Sequence, residues 1–523
     1  MATTTAKIIK KRHCRSVSLT TSRSAMGAML LLSLNSIAAD WKITPSLDLK
    51  ETYSDNIRLA SPGNEKSDFV TQINPGISFT GTGPRLKVNA RYGMQNLIYA
   101  EESSRNTLRH QLNAGANAEL LDDLLYLDGK ASISQQNIST FGQQSTGDNI
   151  NITDNLSEIR TYSISPYLRK RFGSFASTEL RYTHDSVDTS TGGLSASEAD
   201  RTLFKLNSGT AFKTLGWGLS YNKQKIDYSN RTVDLETATG SLRYLITPRF
   251  SLTATGGYEK NNYLAVTGKP EGSFWSAGFS WTPAERTSIS ASTGKRFFGT
   301  TYSLAVNHRT RQTAWSLVYS EDITSTRSQF MVPVTIDTAN FLNQLWTSSI
   351  PDPIVRQQIV DAFIRDTGIP LSLSDPINYF TNRFFLQKRL QASVALNGIR
   401  NTLVFSMFNM TREAQTAQEM DSTLLGTSNL ALNDYIKQVG GNALWNLKIS
   451  PRTSANLNVG YTRSSSPSTG RQDDTKTIRL GMTRKFQPKL NGSLDFRHVQ
   501  RDSNQSVGDY RENAITASLN MRF

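Results

Sequence analysis

Phe69-Val70-Thr71-Gln72-Ile73-Asn74-Pro75-Gly76-Ile77-Ser78-Phe79 divides its side chains between two faces. One face reads Phe69, Ile73, Pro75, Ile77 and Phe79, the other Val70, Gln72, Asn74, Gly76 and Ser78. A period of two belongs to extended chain, where successive side chains point to opposite sides. The split recurs down the chain. Leu108, Leu112, Ala114, Ala116, Ala118 and Leu120 stand against Arg109, Gln111, Asn113, Asn117 and Glu119. Ile478, Leu480 and Met482 oppose Thr477, Arg479 and Thr483, and Ile515, Ala517, Leu519, Met521 and Phe523 oppose Thr516, Ser518, Asn520 and Arg522. Such strands suit lipid on one side and water on the other.

A soluble sandwich also alternates, so the connections decide. Very short turns are expected at Gly81-Pro84, Leu121-Asp123, Phe172-Gly173, Thr247-Pro248, Thr282-Pro283, Ser450-Pro451 and Gln487-Pro488. Between them fall longer polar loops: Ile138 to Leu156, Asp188 to Asp200, Glu413 to Asn433 and Ser464 to Asp474. Short turns alternating with long loops are the mark of a transmembrane barrel, with turns in the periplasm and loops outside. The fold class expected is all-β, a transmembrane antiparallel β-barrel of about 22 strands. An even count puts both ends in the periplasm.

Composition agrees with a fold whose inside is wet. Only 37% of the 523 residues are hydrophobic, too few for one large dry core, yet aromatics reach 9%, which speaks against disorder. Lys7, Lys10, Lys11, Arg12, Arg15 and Arg23 precede the apolar run Ala25 to Leu34 and the small residues Ser36-Ile37-Ala38-Ala39. That order is a secretory signal peptide, expected over residues 1–39 with cleavage after Ala38 or Ala39, leaving a barrel over 40–523. Without those six cations the chain keeps 52 basic against 43 acidic residues, an excess of +9 rather than +15. The remaining cations are scattered at strand spacing, so no nucleic-acid partner is expected. The single cysteine, Cys14, falls in the signal peptide, which leaves no thiol for disulfides or thiolate chemistry.

Trp217, Tyr221, Tyr258, Trp275, Trp281, Trp315, Tyr319, Trp445 and Tyr461 lie on strand segments and suit aromatic belts at the two interfaces with outer-membrane lipid. The alternation of Leu519, Met521 and the terminal Phe523 resembles the C-terminal signal that the barrel assembly machinery reads. One segment, Ile323 to Thr381, breaks the strand pattern, and a helical insert is expected over about 324–381 in one external loop. Asp337 can cap a helix running to Trp346, and Asp352-Pro353 starts a second that Gly368 stops. Phe341, Leu345, Val355, Ile359 and Phe363 give these helices apolar faces that need cover, so they are candidates for a constriction or lid at the barrel mouth.

Chemistry of the catalytic kind is thin. His110, His184, His308 and His498 have no ligand spacing, so neither a metal site nor a cofactor is expected. His184-Asp185 and Asp495 to His498 are the nearest approach to an acid–base pair, and an enzyme is not expected. Lys87, Arg91, Arg109, Lys205, Lys213, Arg389, Arg479 and Arg497 fall on polar strand faces and should project into the lumen, where they would favour anionic solutes. Glu119, Asp128, Glu236 and Asp495 fall on similar faces, so a self-neutralising lumen is the competing expectation.

The chain resembles the PEP-CTERM system-associated outer-membrane proteins found with bacterial exopolysaccharide loci. The resemblance lies in Trp41-Lys42-Ile43-Thr44-Pro45-Ser46, Tyr53-Ser54-Asp55-Asn56, Lys66-Ser67-Asp68-Phe69-Val70-Thr71-Gln72-Ile73-Asn74-Pro75-Gly76, and Ile350-Pro351-Asp352-Pro353. It implies the outer membrane of a Gram-negative bacterium and a conduit for polysaccharide working with periplasmic export components. A general or sugar-selective uptake porin and a non-conducting structural or adhesive barrel are the alternatives. An energy-coupled receptor would need a plug domain ahead of the barrel, whereas strand patterning here starts at Trp41.

Overall fold

The computed structural model describes residues 39–523 apart from 146–147, 191–195, 230, 267, 332–340, 344, 348–355, 357–359, 361–379, 419–430 and 506–507. The expected signal peptide lies outside the described residues, save Ala39.

Twenty-two strands follow one another: β1 (Asp40–Ser54), β2 (Asp68–Thr82), β3 (Leu86–Tyr99), β4 (Thr107–Leu121), β5 (Leu125–Asn137), β6 (Leu156–Phe172), β7 (Ala176–Thr189), β8 (Ser197–Ser208), β9 (Leu215–Tyr228), β10 (Arg231–Thr247) and β11 (Phe250–Asn261). The second half is β12 (Glu271–Ala284), β13 (Thr287–Arg296), β14 (Gly299–Arg309), β15 (Thr313–Ser325), β16 (Phe384–Asn397), β17 (Asn401–Ala414), β18 (Tyr435–Ser450), β19 (Thr453–Ser466), β20 (Arg471–Gln487), β21 (Leu490–Ser503) and β22 (Tyr510–Arg522). Each pairs antiparallel with the next, and β1 closes on β22 in the register Ser46↔Arg522 to Ser54↔Ala514. Every strand therefore has a paired neighbour on each side, the condition for a sheet to stand in lipid.

All the turns expected to be short lie on one rim, with the start of β1 and the end of β22. They occupy 83–85, 122–124, 173–175, 248–249, 285–286, 451–452 and 488–489. Gly173, at φ +55°, supplies the left-handed residue that the 173–175 turn needs. This is the periplasmic rim by the usual asymmetry of outer-membrane barrels. Two expectations shift: β12 runs past Pro283 to Ala284, and most of Ser464 to Asp474 is strand, closed by a turn at 467–470.

The quoted alternation resolves into outside and inside. Phe69, Ile73 and Ile77 are 52%, 43% and 44% exposed on the outer wall, while Val70 and Gln72 between them are fully buried inside. The outer belt has two aromatic edges on the first hairpin. Trp41 stacks on Phe79 with ring centroids 4.9 Å apart at the periplasmic edge, and Tyr53 meets Phe69 at 5.0 Å at the other. The strand between Ile43 and Tyr53 would rise about 33 Å at full extension, or about 25 Å at the usual barrel tilt, the height of an outer-membrane hydrocarbon band. Tyr258, Trp275, Trp281, Trp315, Trp445 and Tyr461 are exposed on the same outer face. Outside the belt on the loop side the outer wall turns to cross-strand ion pairs such as Arg463–Asp474 (2.7 Å) and Lys476–Asp502 (3.1 Å). Glu236 belongs to this outer face, bonded by the Tyr221 hydroxyl, and not to the lumen.

Candidate functional site

Because one face of every strand is wet and inward, the lumen is lined by alternate residues of all the strands. Cross-strand partners place Lys87, Arg91, Arg109, Lys205, Arg389, Arg479 and Arg497 on that inner face. Lys213 is the exception: it stands in the turn 209–214, on no strand. The turn residues between Ser208 and Leu215 carry no fixed side-chain alternation, so spacing misplaced it.

Two of these cations, and the further inner-face cation Arg181, face acids. Arg479 lies 3.1 Å from Asp495, Arg497 2.9 Å from Glu512, and Arg181 bridges Asp128 (2.7 Å) and Glu179 (3.0 Å). Arg389 donates to Gln391 at 2.5 Å. The middle of the lumen therefore follows the self-neutralising expectation more closely than the cationic one.

Arg109 has a different task. Its guanidinium donates to the Asn149 carbonyl, which belongs to the loop 138–155 joining β5 to β6. That loop folds inward across the extracellular mouth. The Lys50 ammonium reaches Asp148 at 3.1 Å, Tyr99 donates to the Ile150 carbonyl at 2.7 Å, and Arg471 donates to the Phe141 carbonyl at 2.5 Å. Asn151 donates to Glu512 at 2.7 Å, and the backbone N–H of Ile152 donates to the Ile57 carbonyl at 2.9 Å. Three apolar residues seat it: Ile150 against Val70, Leu97 and Tyr99, Phe141 with Met410 and Ile436, and Ile138 with Ile159 and Val187. The loop is a constriction, where polarity alone predicts a plain external loop. Its signal was Ile138, Phe141 and Ile150 within an otherwise polar run.

Asp148 lies outside the spanning strands. Burial pushes its carboxyl up, but Lys50, with Arg479 and Arg497 further off, outweighs that and holds it below the usual carboxylate range. At the loop rim, the hydrogen bond from Arg58 likewise lowers Glu102.

The expected insert also turns inward. It begins later than Ile323, since β15 runs to Ser325 and is followed by a short helix, α1 (Thr326–Met331). Phe341, Leu342, Leu345 and Trp346, in helical conformation, are buried against Ala314, Ala395, Val404 and Leu444. Those four form one cross-strand row on the inner wall, Ala314↔Ala395↔Val404↔Leu444. Because β15 leaves the periplasmic rim at Thr313 and β17 at Asn401, the row lies near that rim, and the insert reaches deep into the lumen. Val355, Ile359 and Phe363, with Asp337, Asp352 and Gly368, lie outside the described residues.

The expected C-terminal signal sits on the outer face. Phe523 is 63% exposed and Leu519 44%, and the Phe523 backbone N–H donates to the Pro45 carbonyl at 3.0 Å. Neither candidate acid–base pair forms. Asp185 faces inward to Arg327 and His184 outward to Asp200 at 3.0 Å, while Asp495 faces inward and His498 outward to Asn513 at 2.7 Å. Among the described residues no group of His, Cys, Asp or Glu is arranged to hold a metal ion.

No protein-family model matches the chain, and no curated protein does. Among solved structures it is similar to the siderophore receptor PirA from Acinetobacter baumannii (9% identity, TM-score 0.48, covering 92% of this chain and 80% of that one). OccK1 (OpdK) from Pseudomonas aeruginosa gives 6% identity and TM-score 0.35, covering 92% and 99%. OmpT of Vibrio cholerae gives 9% and 0.31, covering 94% and 99%. The closed sheet, apolar belt and wet inner wall of this chain themselves carry its assignment as an outer-membrane β-barrel.

Proposed function

We propose that the barrel is the outer-membrane conduit of an exopolysaccharide export system of the PEP-CTERM kind, its inner wall forming the path and its folded-in segments controlling the bore. The observation that carries this reading is the polar inner face that runs from rim to rim on most strands, interrupted on β15 to β18 by the apolar row that seats the insert. Amides, hydroxyls and paired charges offer a sugar chain exchangeable hydrogen bonds without a deep trap, which conduction requires. The resemblance in the first hairpin supplies the genetic setting. Deleting the gene should lower secreted polysaccharide and leave it in the periplasm, with recovery on re-expression of the full chain. Unchanged secretion would overturn the proposal. A sugar-selective uptake porin is the second reading, favoured by loop 138–155, which narrows the mouth from outside. Saturable uptake of oligosaccharides into liposomes carrying the barrel would favour it.

A further inference from the structure

The neutralised middle of the lumen has a counterpart at its lower end that is not neutralised. Lys42 lies between Trp41 and Ile43, Arg243 between Leu242 and Tyr244, and Lys448 between Leu447 and Ile449. The flanking residues, Leu447 apart, are large, exposed and outward, so alternation turns each cation inward just above the periplasmic rim. Lys87, Arg309 and Lys485 occupy the same level on β3, β14 and β20. Arg169 and Arg171 add two on β6, spreading the band around the circumference. The inward acids of this level are Asp40, Glu119, Asp128 and Glu179, and Arg181 already bridges Asp128 and Glu179. Lys42, Lys87, Arg243, Lys448 and Lys485 have no acidic partner among the described residues. Lipid phosphates cannot be their counterions, because the side chains face the lumen. Lys170 and Arg484, one residue out of phase, face lipid instead.

We propose that this band is an electrostatic collar that captures a carboxylate-bearing saccharide chain from the periplasm. The proposal rests on the conduit reading and narrows its cargo to an acidic polymer. A ring of like charge in a low-dielectric wall concentrates counterions at a pore mouth. The wall beyond the collar suits a saccharide better than an acidic peptide. Across β10 to β14 it presents small hydroxyl residues in register, Ser241↔Thr255↔Ser276 and Ser292↔Ser303, with Gly278 beside them and few apolar side chains to grip a peptide.

The test is titration calorimetry on the full folded barrel in detergent, with a galacturonate oligomer, a maltose oligomer of equal length and poly-glutamate as probes. Galacturonate should bind and maltose should not, and binding should weaken steeply as salt screens the collar. A Lys42→Gln/Arg243→Gln/Lys448→Gln/Lys485→Gln variant should lose on the order of tenfold or more in affinity. A Lys42→Arg/Lys448→Arg/Lys485→Arg variant should keep it. If the fourfold variant fails to fold, Lys42→Gln/Lys448→Gln serves in its place, with a smaller loss expected. Equal binding by wild type and glutamine variant, equal binding of both oligosaccharides, or tighter binding of poly-glutamate would each overturn the proposal. Collar-dependent binding alongside normal secretion in the deletion strain would sink the conduit reading alone. A secretion defect without collar-dependent binding would sink the acidic cargo alone.

Discussion

Glu512 shows how single residues hold the extracellular mouth. Its fully buried carboxylate accepts from Ser54 at 2.8 Å, Asn151 at 2.7 Å and Arg497 at 2.9 Å, tying β1, the inward loop and β21 to one group. A buried charge stripped of its partners costs roughly 3–5 kcal/mol, so the loop can leave only if water replaces Asn151. Asp148 is the more exposed anchor, and its bond to Lys50 is worth at most about 1 kcal/mol after solvent screening. Its carboxyl is held below the usual value, so its contribution is complete above about pH 4. That contribution is lost as pH falls through the lowered value. Channel conductance should therefore rise on acidification below that point. Asp148→Asn should start from the higher conductance at neutral pH and lack this acid step, which planar-bilayer recording would show. An identical acid step in both proteins would remove Asp148 as an anchor. None of this was legible beforehand: Asp148 and Asn149 read as loop polarity, and Arg109 as a solute contact, because their pairing joins residues far apart in sequence.

At the scale of elements, strands were legible and docked segments were not, for the same reason. Alternation is local, so Phe69 to Phe79 declares its two faces without reference to anything else. The amphipathic helix around Phe341 and Leu345 also declared an apolar face, but its cover did not. Ala314, Ala395, Val404 and Leu444 come from four strands and become one apolar row only when register aligns them. Phe341, Leu342, Leu345 and Trp346 each gain about 1.5–3 kcal/mol by burial there. Leu345→Ala should weaken docking by on the order of 2–5 kcal/mol. The expected result is larger, noisier single-channel conductance from a barrel that still assembles. Conductance equal to wild type would mean that the docked helix does not limit the path.

For the whole molecule, closure of β1 on β22 makes inside and outside absolute, and the wall separates two chemistries residue by residue. The outer face carries an apolar belt between aromatic edges, and the inner face, apart from the row Ala314, Ala395, Val404 and Leu444 under the insert, is polar, with charges paired in the middle and cations gathered at the periplasmic end. The sequence already contained the belt and the strand number, since both follow from periodicity and turn spacing. The collar was hidden, because Lys42 on β1 and Lys485 on β20, far apart in sequence, come to share one rim, three strands apart, only once the sheet closes. Cys14 is the sole cysteine and lies ahead of the barrel, so single cysteines can report the wall directly. Reconstituted barrels bearing a cysteine at each of positions 73 to 78 in turn would be treated with a water-soluble maleimide. The account predicts reaction at Asn74, Gly76 and Ser78 from the lumen and protection at Ile73, Pro75 and Ile77 by lipid, with protection lost in detergent. Uniform reaction along the run, or the reverse phase, would contradict a lipid-facing outside and a wet inside.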